Sequence, residues 1–103
     1  MSETKPKSEP TPPTDYVKQV VIELLEPITV AGVITSRLTC RRLKLQDRLA
    51  VDDIEGSEAI KEVALFAYMV GLAPSDLSQL DLSDYMQLQT AYQTFMKARP
   101  SKT

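Results

Sequence analysis

Between Val17 and Leu25 apolar and polar positions alternate with a period of two. Lys18, Val20, Ile22 and Leu24 fall on one side and Val17, Gln19, Val21, Glu23 and Leu25 on the other. That pattern predicts a strand whose first side, apolar but for Lys18, faces inward. Ala31-Gly32, set between Val30 and Val33, predicts a hairpin tip, although Ala is a weaker first turn residue than Asn or Asp. In the returning strand strict alternation puts Ile34, Ser36, Leu38 and Cys40 on one face and Val33, Thr35, Arg37, Thr39 and Arg41 on the other. Pro27 has no amide hydrogen to donate, so it belongs at an edge or a bulge.

After Arg42 the period lengthens. "LKLQDRLAVDDI" predicts a short helix with Leu45, Leu49 and Val51 or Ile54 towards the core. Glu55-Gly56 breaks the chain, and Ser57 is placed to cap a helix from Glu58 to about Val70. Ile60, Val63, Ala64, Ala67 and Val70 form one stripe of it, widened by Leu65, Phe66, Tyr68 and Met69, which marks it as the central helix. Gly71 is its C-cap. Pro74 suits the first position of a short helix in "PSDLSQL". Asp81 then caps a last helix from Leu82 to about Ala98, closed by Arg99-Pro100. The predicted fold is α+β: an N-terminal β-hairpin followed by three or four α-helices, mostly helical. Its domains read as a disordered leader over 1–15, one domain over 16–99 and a flexible C-terminus over 100–103. The leader holds four prolines and no large apolar residue after Met1, so nothing in it offsets the entropy of ordering.

Composition narrows the function. A domain of about 80 residues buries only about 60 to 65% of its unfolded surface, so association with a copy or a partner is the default expectation. The 12 basic and 14 acidic residues give no global attraction to nucleic acid or an anionic membrane. The charges are segregated, however. Arg37, Arg41, Arg42, Lys44 and Arg48 are opposed in their stretch by Asp47 alone, while residues 52–84 carry eight acids against Lys61. Such a dipolar surface can steer docking. One cysteine excludes an internal disulfide, the lysine-bearing N-terminus has no apolar stretch typical of a signal peptide, and the longest strongly apolar run, Val63 to Leu72, is about half a membrane span. These features point to a soluble intracellular protein with no membrane partner.

Candidate chemistry is thin. Without histidine and with one cysteine, the commonest metal ligands and general bases are missing, so neither metal, cofactor nor enzymatic activity is expected. Asp52-Asp53 and the set Asp76, Asp81, Asp84 sit where helix caps and first-turn acids belong. Cys40 lies beside Arg41 and Arg42, which can lower a thiol pKa, but a buried structural cysteine is the commoner outcome. The basic patch has no aromatic for base stacking. On the last helix Tyr85, Leu88, Tyr92 and Phe95 follow a three-four spacing, flanked by Met86 and Met96. The bland reading packs this stripe on the Val63 to Val70 helix; the functional one makes these six residues a contact surface for a partner helix.

Two stretches carry a resemblance. "VVIELLEPITVAGVITSRLTCRRLKLQD" and "GLAPSDLSQLDLSDYMQLQTAYQTF" resemble the tail assembly chaperone family of Mu-like and related contractile-tailed bacteriophages. The family has a "P-I-x-V-x-G" hairpin turn before an arginine-bearing strand and a "G-L-[ST]-P-x-[DE]-L-x-x-L-D-x-x-D-Y-x-x-L" segment opening the last helix. Ala73 stands where a serine or threonine is frequent, and Leu43 where a proline is common. The resemblance, over about 17 to 96, implies a non-enzymatic protein of the host cell cytoplasm that binds and solubilises the tape-measure protein and helps recruit the tail-tube protein. It also implies absence from the mature virion and a longer form made by frameshift. The alternative from another class is a small nucleic-acid-binding regulator using the Arg37 to Arg48 cluster.

Overall fold

The computed structural model describes residues 17–97. The leader over 1–15, the C-terminus over 100–103 and the Arg99-Pro100 stop lie outside the described residues. Two antiparallel strands, β1 (Gln19–Val30) and β2 (Val33–Arg41), are followed by helices α1 (Leu45–Asp52), α2 (Glu58–Val70), α3 (Pro74–Leu77) and α4 (Leu82–Lys97). This is the predicted α+β order. At the hairpin tip Ala31 and Gly32 both have positive φ, 50° and 80°. Two left-handed residues in succession make the turn whose twist matches that of the flanking strands, and Ala31 accepts the steric cost of its Cβ there.

The strands pair from Gln19 opposite Arg41 to Glu23 opposite Arg37, and again from Ile28 opposite Thr35 to Val30 opposite Val33. Between these blocks Leu24, Leu25, Glu26 and Pro27 stand against Ser36 alone. Pro27 is therefore in a bulge, which a residue without an amide hydrogen tolerates. The excess of three residues is odd, so β2 changes face across it. Leu38 and Cys40 are buried as predicted, whereas Ile34, expected on the same face, is turned out to solvent beside the tip.

A bulge strands amide groups, and here an acid from the far end of the chain satisfies them. Asp84, 1% exposed in the first turn of α4, accepts from the Leu25 amide at 3.0 and 3.1 Å through its two oxygens and from the Glu26 amide at 3.2 Å. The positive end of α4 favours the negative charge at that place. Asp84 is a first-turn acid of α4, as its position predicts, and Asp81 is the predicted cap, accepting from the Ser83 amide at 3.0 Å. Three residues further along β1, Gln79 accepts from the Thr29 amide at 3.0 Å and donates to the Thr29 carbonyl at 2.8 Å, as a neighbouring strand would.

The remaining caps follow the sequence. Ser57 Oγ accepts from the Ile60 amide at 3.2 Å, Gly71 closes α2 at φ 75°, and the Asp76 carboxylate accepts from the Ala73 amide at 3.1 Å. The core is formed by Ile22, Leu24, Ile28, Leu38 and Cys40 of the hairpin against Phe66, Ala67, Met69, Leu77, Leu88, Ala91 and Phe95. Helix α1 departs from expectation. Val51 is buried, but Leu45 and Leu49 stand 72% and 56% exposed and the buried residue one turn before Val51 is Asp47. The cause is a bidentate pair: Arg41 donates to both Asp47 oxygens at 3.0 and 3.1 Å, and the Lys44 amide adds a bond at 2.8 Å. That clamp rotates the helix so that Asp47 and Val51 face inward and the leucines outward. Ile60, expected on the core stripe of α2, is 53% exposed as well.

Three outcomes follow from these contacts. Asp84→Ala leaves two bulge amides without their acceptor and is expected to cost about 3 kcal/mol in urea unfolding, with Asp84→Asn, which keeps one acceptor oxygen, costing less; equal stability of Asp84→Ala and wild type would refute the tether. For Asp47, first the Arg41 hydrogen bonds, then the Lys44 amide bond, hold the carboxyl pKa below its ordinary value, which is about 3.9. A depressed folded-state pKa stabilises above the unfolded value and the contribution is lost as pH falls through the folded one. The stability gap between wild type and Asp47→Asn is therefore expected to be full at pH 6 and to shrink steadily below about pH 4; a gap independent of pH would contradict the pair. Cys40 is fully buried, and that burial pushes its thiol up to about 11. It should stay silent to an aromatic disulfide reagent at pH 8 and react in full once the chain is unfolded in denaturant.

Candidate functional site

The stripe on α4 is divided by the fold. Leu88 and Phe95 are buried in the core and reach no surface. Tyr85 and Tyr92 are half-buried and flank Phe66, with ring centroids 5.5 and 5.6 Å away and tilted planes. The Tyr85 hydroxyl donates to Glu62 Oε1 at 2.7 Å, and burial first, then this acceptor and its charge, push the phenol well above its ordinary pKa. Gln89 donates to the same oxygen at 3.3 Å. Met86 and Met96 are half-exposed and are the members of the six left to meet a partner. The tyrosines supply a rim rather than an anchor.

The basic cluster is likewise dispersed. Arg37 pairs with Glu23 across the strands at 2.7 Å on the exposed face of the hairpin. Arg41 holds Asp47. Arg42 turns inward: it donates to the Val17 carbonyl and, at 2.9 Å, to the Phe95 carbonyl, while its guanidinium lies 5.3 Å from the Phe95 ring centroid. A cation at the last carbonyls of a helix is a favourable C-terminal contact. Arg48 pairs with Asp52 one turn along α1 at 3.3 Å. Each of the four arginines already meets an acceptor of its own chain.

Exposed apolar side chains mark other places. Val33 and Ile34 stand at the hairpin tip, Leu25 on the bulge, Leu82 at the start of α4, and Leu45 with Leu49 along α1. Beside α2, two adjoining depressions of about 390 and 320 Å³ share Pro74. Ile54, Ile60, Tyr68 and Leu72 wall them, and Ala64 and Ala67 form part of the floor. On the opposite side of α2 a cleft of about 380 Å³ is lined by Arg48, Asp52, Glu58, Lys61 and Glu62 among others, whose opposite signs nearly cancel. Sequence reading missed the tip and the α1 leucines because their exposure depends on the bulge and on the Asp47 clamp, which no local pattern signals.

Among the described residues no group of three or more His, Cys, Asp or Glu side chains is arranged to hold a metal ion. No helix there is long and apolar enough to cross a membrane.

Comparison with known families matches residues 21–97 to phage tail assembly chaperone proteins, E, or 41 or 14. Neither a curated protein nor a solved structure matches the chain. The match runs from Val21, near the start of β1, to the last residue of α4 and so includes the bulge, the Asp84 tether and all four helices. The chain belongs to the phage tail assembly chaperone proteins.

Proposed function

We propose that the chain binds the tape-measure protein in the infected cell, keeps it soluble and helps recruit tail-tube subunits, without enzymatic activity. The observation that carries this reading is the family match over residues 21–97. The surface supports it physically. A long helical client with apolar faces needs adaptable apolar contacts of low individual affinity, and Met86 and Met96 on α4 and Leu82 at its start supply such side chains without emptying the core. The reading also places the protein in the host cytoplasm and outside the finished particle. The alternative of a nucleic-acid regulator is weakened by the intramolecular pairing of Arg37, Arg41, Arg42 and Arg48.

Co-expression with the tape-measure protein of the same phage tests the proposal. The client is expected to move from the insoluble to the soluble fraction and to co-purify with the chaperone. Met86→Ser with Met96→Ser should reduce the recovered client several-fold while the circular dichroism stays that of the wild type. A client that remains insoluble with the wild-type chain present would overturn the reading, as would tight, salt-steep DNA binding in a gel-shift series.

A further inference from the structure

The cleft between α1 and α2, about 380 Å³, has room for a whole side chain rather than a bare ion. Its apolar lining comes from buried Val51 and Phe66 and from half-buried Leu65 and Tyr92. Glu62 stands in the same wall, half-buried and fixed. Its Oε1 accepts from the Tyr85 hydroxyl at 2.7 Å and from Gln89 at 3.3 Å. Both donors are neutral, and Glu62 forms no ion pair with a described residue. By contrast Asp47 has Arg41, and Asp52 on the α1 side of the cleft has Arg48. Tyr92 adds a second unmet polar group: its hydroxyl has no hydrogen-bond partner among the described residues. A carboxylate held partly out of water without a counterion attracts an arriving cation more strongly than a fully solvated one does.

From this we infer that the cleft takes an arginine side chain presented by the bound client. The aliphatic stem of such a side chain packs on Val51 and Leu65, its planar cation stacks against the aromatic lining, and its fork of donors meets the Glu62 carboxylate and the Tyr92 hydroxyl together. Lysine fits less well, because a strongly hydrated ammonium offers one point of charge and no plane to stack. The charges lining the cleft set the strength. Asp52 and Arg48 neutralise each other, Glu58 adds to Glu62, and Lys61 opposes both, so three acids against two cations leave one negative charge. Binding is therefore weak, sensitive to salt and limited by Lys61. Tyr85 is a positioning residue: its hydroxyl holds Glu62 without neutralising it, and burial first, then that bond, keep the phenol protonated. The client as the source of the arginine rests on the chaperone reading, whereas the chemistry of the cleft does not.

An NMR titration of the full chain with N-acetyl-arginine amide tests it. Shifts are expected at the amides of Lys61, Glu62, Phe66 and Tyr92, saturating with a dissociation constant on the order of 1 mM for so small a probe and weakening as salt is added. N-acetyl-citrulline amide, of the same shape without the charge, should bind about tenfold more weakly, and N-acetyl-lysine amide several-fold more weakly. Glu62→Gln keeps an acceptor oxygen for Tyr85 and Gln89 and removes only the charge, so the fold is retained, which the unbound spectrum checks. Its binding should fall about tenfold. Lys61→Gln removes the opposing cation and should tighten binding about threefold. Shifts absent from the cleft, a citrulline or lysine probe that binds as well as the arginine one, or a Glu62→Gln chain that binds as well as wild type would each overturn the arginine site. In the co-expression, Glu62→Gln is expected to recover less client than wild type, and full recovery would overturn the client as the source of the arginine. A client left insoluble by wild type tells against the chaperone reading instead, since the titration needs no client.

Discussion

The carboxylate of Asp84 on the amides of Leu25 and Glu26 is the contact on which the arrangement of sheet and helices depends. A bulge facing one residue of β2 leaves donors that water or protein must satisfy, and Pro27 removes one of them outright. The acid comes from the first turn of α4, so satisfying the bulge also places the start of that helix against β1. Once there, Leu88, Ala91 and Phe95 follow at helical spacing down the face that meets Ile22 and Leu38. Gln79 and Arg42 extend the same logic along the hairpin, the first by pairing with Thr29 in the manner of a strand and the second by joining the Val17 and Phe95 carbonyls. A two-stranded sheet is marginal alone, and here side chains from the helical region close the edge of β1.

What the sequence disclosed and what it hid divide along the range of the interactions. The turn at Ala31-Gly32, the Ser57 cap, the Gly71 terminus and the inward side of β1 are decided within a few residues, and they stand as read. Leu45 and Leu49 do not. The short stretch after Arg42 offers two apolar sets, Leu45 with Leu49 on the helix and Val51 with Ile54 at and beyond its end, and hydrophobicity alone favours the leucines. Arg41 decides otherwise by holding Asp47, a contact between strand and helix that no periodicity contains. Ile34 fails for a related reason: Pro27 announced a bulge, but not that its excess would be odd. On α4 the spacing of Tyr85, Leu88, Tyr92 and Phe95 was visible, and the split between buried Leu88 and Phe95 and half-buried tyrosines follows only from where Phe66 lies.

The arginines show how composition can mislead about function. A run of five cations against one acid invites a phosphate ligand when read along the chain. In three dimensions Arg37 faces Glu23, Arg41 faces Asp47, Arg42 faces carbonyls and a ring, and Arg48 faces Asp52. Only Arg41 and Arg42 meet partners that are themselves buried, and these two set structure: one holds α1 through Asp47 and the other ties the hairpin to a carbonyl in the last turn of α4. Arg37 and Arg48 form exposed pairs of small individual worth, and such pairs exchange partners at little cost.

Apolar surface left outside a small fold has to be either tolerated or used. Core demand does not account for Leu45, Leu49, Ile60, Met86 and Met96, since Phe66, Met69, Leu88 and Phe95 already fill the space between hairpin and helices. Poor helix orientation does not account for them either, because the Asp47 clamp and the Asp84 tether fix α1 and α4 through directional bonds. A chain that spends two buried carboxylates on holding helices in place, with leucines and methionines turned outward, has traded some burial for a defined apolar exterior. That trade suits a tail assembly chaperone, because contacts made by single exposed side chains are individually weak and collectively specific.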